Sequence, residues 1–148
     1  MESKVQSPAL VMRVIRIAFI VSGFLYFYVA MKFVSQAQQP VTSTFQLAIA
    51  IVAFTCVILG FSARRLIARP AESPAEKAPT SIQLKRWMTT SVISLAFFEA
   101  CILFGFVLHV LGAPLWRVEL LFGAGIASML IWSPGTPPDA APGNLSQG

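Results

Sequence analysis

Charge is scarce in this chain. Of its 148 residues, 11% are Asp, Glu, Lys or Arg, where a soluble domain carries about 25%. Histidine occurs once, at His109, and cysteine twice, at Cys56 and Cys101. Two thiols at unrelated spacing inside apolar runs make neither a disulfide framework nor a metal site, so buried free thiols are expected. A glycine-rich phosphate loop, paired carboxylates and a His/Cys metal cluster are all missing, and His109 has no Ser and Asp placed to build a triad. The sequence therefore predicts no enzyme, no cofactor and no metal site. The strict apolar–polar alternation of a membrane β-barrel is missing too.

Apolar residues fill the space. They make up 56% of the chain, and mean hydropathy is +0.73. Four apolar runs, at residues 11–34, 44–63, 88–112 and 115–132, approach or exceed the ~18–20 residues that carry a helix across ~30 Å of hydrocarbon. The predicted fold is all-α: an integral membrane four-helix bundle in which residues 1–132 form one four-span domain. The short uncharged connector at 35–43 makes spans 1 and 2 an antiparallel hairpin. Leu111-Gly112-Ala113-Pro114 makes spans 3 and 4 a second one, with Gly112 suited to a C-cap and Pro114 to a helix start. Residues 64–87 carry Pro70, Pro74 and Pro79 among mixed charges and read as the cytoplasmic linker joining the hairpins. Residues 133–148 are rich in Pro and Gly and read as a disordered tail. Thr42, Ser43 or Thr44 is placed to cap span 2, and Thr80 or Ser81 to cap a helix leading into span 3. Span 1 is longer than the ~7–15 apolar residues of a signal peptide, so an uncleaved span is expected despite Ser35-Gln36-Ala37.

Lys4, Arg13 and Arg16 at the start of span 1, with Arg64, Arg65, Arg69, Lys77, Lys85 and Arg86 between spans 2 and 3, outnumber Lys32 and Arg117 on the other side. The positive-inside rule then places both termini and the linker in the cytoplasm of a bacterial inner membrane. Trp87, Trp116 and Trp132 fall at span ends, as an interfacial belt requires. The net charge of +5 reads as attraction to anionic headgroups, and nucleic acid is not an expected partner. The expected partners are the lipid bilayer and other membrane subunits or a second copy, met through Gly123-x-x-x-Ala127. Arg117 and Glu119 open span 4, the carboxylate placed for the positive end of the helix dipole. Shifted by 78 residues, Ala18-Phe19 overlays Ala96-Phe97 and Leu25-Tyr26 overlays Leu103-Phe104, a weak internal repeat.

Glu99 is the residue that carries chemistry. It lies near the middle of span 3, where a charge costs about 2.5–3.5 kcal/mol on insertion scales. Hydrocarbon disfavours the ionised form, so a neutral, buried, protonatable acid is expected, and it needs a hydrogen-bond partner. Ser22, Tyr26 and Thr55, all mid-span, are the candidates; Ser22 and Tyr26 stand i, i+4 and share a face. Such a group is an ion or proton site or a polar tie between helices. His109 follows ten residues later, about 15 Å further along the helix, and is expected at the outer interface.

Glu99, Ala100, Leu103, Phe104, Gly105, Phe106 and Val107 together resemble the carboxylate helix of rotary ATPase proteolipids, the c-type subunits. That resemblance implies a mid-membrane carboxyl that binds and releases a proton or cation. The chain departs from the family in its single span-2 glycine, Gly60, in its longer loop, and in carrying the acid on the third helix.

Overall fold

Local chemistry sets the helix ends. Ser7 receives the first amide bonds, from Leu10 at 2.8 Å and Val11 at 3.3 Å, and Pro8 follows as the first helical residue, where its missing N–H costs nothing. Thr42 plays the same part for the second helix, its carbonyl accepting from Gln46 at 3.2 Å. The chain, as a computed structural model described over residues 7–33, 42–67 and 80–135, forms α1 (Pro8–Phe33), α2 (Ser43–Ile67), α3 (Thr80–Val110) and α4 (Leu115–Ile131). No strand occurs among the described residues. The predicted all-helical, four-helix fold is the one observed.

The Gly112 turn has the predicted chemistry. Gly112 adopts φ 73°, donates to His109 O at 3.1 Å, and leaves Ala113 to donate to Leu108 O at 2.9 Å. This pair of bonds is a Schellman motif, closed by the buried contact of Ala113 with the end of α3. Pro114 is then the N-cap of α4. Gly112→Ala is expected to cost about 1 kcal/mol, the left-handed penalty of an L-residue, and a matching fall in unfolding free energy in detergent checks it.

Three helices are long and apolar enough to cross a bilayer: Pro8–Lys32 of α1, Ser43–Ala63 of α2 and Ile82–Val110 of α3. The fourth predicted span is shorter than expected. Trp132 turns to ψ 134° and ends α4 at 17 residues, about 26 Å of helix against ~30 Å of hydrocarbon. No acid stands in its first turn; Glu119 is one position beyond and exposed, so the expected dipole placement is not made. The linker predicted at 64–87 shortens at both ends, because α2 continues to Ile67 and α3 starts at Thr80; its middle, like residues 34–41 and 136–148, lies outside the described residues. Thr80 is helical rather than preceding the helix.

The central element is α3. It touches the other three helices, as α4 does less extensively, while α1 and α2 do not meet among the described residues. Spans 1 and 2 thus form a hairpin in chain order only; they flank α3 instead of pairing, and the tight hairpin is α3–α4. A large part of α3 is buried because its sides are shared. Phe98, fully buried, rests against Gly60 of α2, tilts on Phe61 at 5.0 Å and meets Trp132 edge-on at 6.2 Å. Trp132 is therefore a core residue, not part of an interfacial belt, whereas Trp116 is 60% exposed. Phe27 of α1 meets Phe122 of α4 edge-on at 5.1 Å. The repeated segments of α1 and α3 occupy different environments, one at the side and one at the centre.

The outside is apolar. Ile17 and Val21 of α1 and Leu47 and Ile58 of α2 are each more than half exposed. A water-soluble protein does not present such continuous rows; a lipid-facing helix does.

Candidate functional site

Glu99 sits on α3 at the edge of its buried stripe, between buried Leu95 and Ile102 on one side and exposed Ala96 and Leu103 on the other. Its burial is partial rather than complete, because α1 covers one side of it. Ser22 of α1 donates from Oγ to Glu99 Oε1 at 2.9 Å. The approach is close because the next residue of α1, Gly23, leaves room for Ile102: a Cβ there would stand 2.8 Å from Ile102 Cδ1. Ser22 is the hydrogen-bond partner of Glu99 among the described residues, and no cation among them pairs with it.

The other two candidates do not join this bond. Tyr26 is half-buried against the core, one turn beyond Ser22, and no hydrogen bond connects it to Glu99 among the described residues. Thr55 is exposed and donates to Ile51 O of its own helix at 2.8 Å. Because α1 and α2 lie on different sides of α3, Ser22 and Thr55 do not converge on one point. Polarity and mid-span position nominated all three; helix rotation and neighbour order select Ser22.

Both cysteines are free. Cys101 is buried, with Sγ 3.5 Å from Leu121 O, and Cys56 is half-buried. His109 is buried in the last turn of α3, the helix end at which the sequence places it, where a basic group suits the dipole. Gly123 has nothing within 4 Å of a built Cβ, and both it and Ala127 are exposed, so this pair makes no close contact within the chain. That role falls to Gly125, whose added Cβ would lie 3.0 Å from the Phe98 carbonyl and collide with Ile102 Cγ1.

Sequence reasoning missed three polar features. Arg16 donates from Nε to Met129 O at 2.9 Å and from Nη2 to Leu130 O, so a side chain of α1 caps the last carbonyls of α4. Gln46 is buried and accepts from Arg117 Nη1 at 3.0 Å, while the Arg117 guanidinium lies 5.1 Å from the Trp116 ring centre. Ser94 Oγ is buried with no hydrogen-bond partner among the described residues. The one available signal was a cation inside an apolar run, which topology counting alone absorbed. Comparison with protein-family models, with curated proteins and with solved structures gives no match.

Proposed function

We propose that this chain is a small helix-packing membrane protein without catalytic chemistry, working as a subunit of a membrane complex. In this reading Glu99 stays protonated and ties α1 to α3. The bond from Ser22 at 2.9 Å carries it. An ionised carboxylate in hydrocarbon needs a cation or several donors; a neutral acid carries no such charge, and the Ser22 hydroxyl meets its carbonyl oxygen. The outward-facing Gly123 and Ala127 then suit contact with a partner subunit or second copy. The orientation with both termini in the cytoplasm of a bacterial inner membrane is supported by Arg13, Arg16, Lys85 and Arg86, which belong to one end of the bundle, and by Lys32 and Arg117 at the other.

A double-mutant cycle tests the tie. Ser22→Ala and Glu99→Leu are expected to show a coupling of about 0.6–1.7 kcal/mol in reversible unfolding, the range for hydrogen bonds between membrane helices. Glu99→Gln, which keeps an acceptor, is expected to retain most of it. Strict additivity would contradict the tie. The open side of Glu99 favours a second reading, a proteolipid-like proton or cation carrier. That reading predicts a proton flux in reconstituted vesicles, blocked by hydrophobic carbodiimide and by Glu99→Gln; the packing reading predicts flux equal to protein-free vesicles.

A further inference from the structure

At the opposite end from the Gly112 turn, a cavity of about 370 Å³ lies between the first turns of α1, the start of α3 and the residues after α4. That volume falls in the ~300–1,000 Å³ range of small-ligand sites. Met12, Arg13, Arg16, Trp87, Ser133 and Pro134 line it. Arg13 and Arg16 are one turn apart and face it together. Arg16 is fixed in direction by its bonds to Met129 and Leu130 carbonyls, and its Nη1 makes no hydrogen bond among the described residues. Arg13 is exposed and makes no hydrogen bond or ion pair among the described residues. The far wall is held in place, because Trp87 Nε1 donates to Pro134 O at 2.8 Å. Its nearest hydroxyl, Ser133 Oγ, is exposed and 3.4 Å from the Gly135 amide.

Among the described residues, the charge in and around this cavity has one sign. Arg13 and Arg16 line it, Lys85 and Arg86 lie just before Trp87 on α3, and no carboxylate is among the lining residues. Among the described residues nothing neutralises Arg13. Further into the bundle the surface is apolar: Met12 in the lining is buried, and Val14, Ile17 and Val21, beyond Arg13 on α1, are exposed to the surroundings. A ligand that satisfies both has an anionic head and hydrocarbon tails. We propose that this cavity holds the phosphate of an anionic phospholipid, with Arg13 and Arg16 Nη1 donating to its oxygens, Ser133 as a third donor, and the acyl chains lying along the exposed face of α1. Basic pockets between helices at the cytoplasmic surface take such headgroups.

The full chain in neutral detergent is titrated with phosphatidylglycerol, phosphatidylcholine and inorganic phosphate, and bound lipid is counted by native mass spectrometry beside thermal unfolding. Phosphatidylglycerol is expected to bind at least tenfold more tightly than phosphatidylcholine. Arg13→Gln, at an exposed position that caps nothing, is expected to weaken it about fivefold, the worth of one basic residue near an anionic surface, while Lys32→Gln at the far end leaves it unchanged. Equal binding of the two lipids, or equal loss in Arg13→Gln and Lys32→Gln, would overturn the site. Stabilisation by inorganic phosphate that matches the lipid at equal concentration would overturn the lipid as its occupant.

Discussion

Replacing Arg16 by leucine is expected to lower the stability of the bundle by about 3 kcal/mol, although leucine suits hydrocarbon far better than arginine does. The reason lies at the other end of the chain. α4 stops at Ile131, and the carbonyls of Met129 and Leu130 are among the last, unpaired acceptors of the helix; Arg16 donates to both. The bond to Met129 O is partly buried, so its carbonyl is left short of a donor at about 1–3 kcal/mol, and a bond from a charged donor is itself worth about 1.5–3 kcal/mol. Arg16→Lys is expected to fall between, since an ammonium keeps the favourable charge at the C-terminal end of the helix dipole, worth about 0.3–1 kcal/mol, but does not reach two carbonyls with a fixed fork. Reversible unfolding in mixed micelles, followed by the fluorescence of buried Trp132, measures this. A loss below 1 kcal/mol for Arg16→Leu would show that α4 is capped by other means.

The second large effect separates two glycines on one helix. Gly125→Leu is expected to cost about 3 kcal/mol, at the upper end of overpacking penalties, because even a Cβ would meet the Phe98 carbonyl and Ile102. The obstacle is partly backbone, so rotamer changes do not relieve it; α4 is pushed away from α3, and the T-shaped contact of Phe27 with Phe122 opens with it. Gly123→Leu is expected to leave the isolated chain within about 0.5 kcal/mol of the wild type, since no atom lies near its Cβ. The same substitution is expected to weaken any assembly that uses the outer face of α4, read by cross-linking in native membranes. Equal unfolding penalties at the two positions would contradict the observed rotation of α4.

That pair of glycines also shows how far residues alone reach. The four helices were legible, since long apolar runs punctuated by Gly112-Ala113-Pro114 leave few other folds in a bilayer. Ser22 and Glu99 were legible as well, because polar groups are so few in mid-span that a short set of candidates contained the observed pair. What the sequence does not encode locally is rotation and neighbour order. Gly123 and Gly125 differ by two residues, about 200° around the helix, and composition alone does not say which faces inward. Thr55 was as plausible a partner as Ser22 until α1 and α2 were seen on different sides of α3. Arg16 was counted as a marker of membrane orientation; its bonds to residues more than 110 positions away depend on where α4 ends, which Trp132 decides. Trp132 itself lies at a span end, as an interfacial tryptophan does, yet the shortness of α4 turns it onto Phe98.

The protonation of Glu99 is open to direct observation. Infrared spectra of the protein in lipid at neutral pH, taken as the difference between wild type and Glu99→Gln, are expected to contain a carboxylic-acid C=O band, shifted in Ser22→Ala as the donated hydrogen bond is lost. A carboxylate band in its place, or an acid band indifferent to Ser22, would contradict a neutral residue 99 holding the first helix against the third.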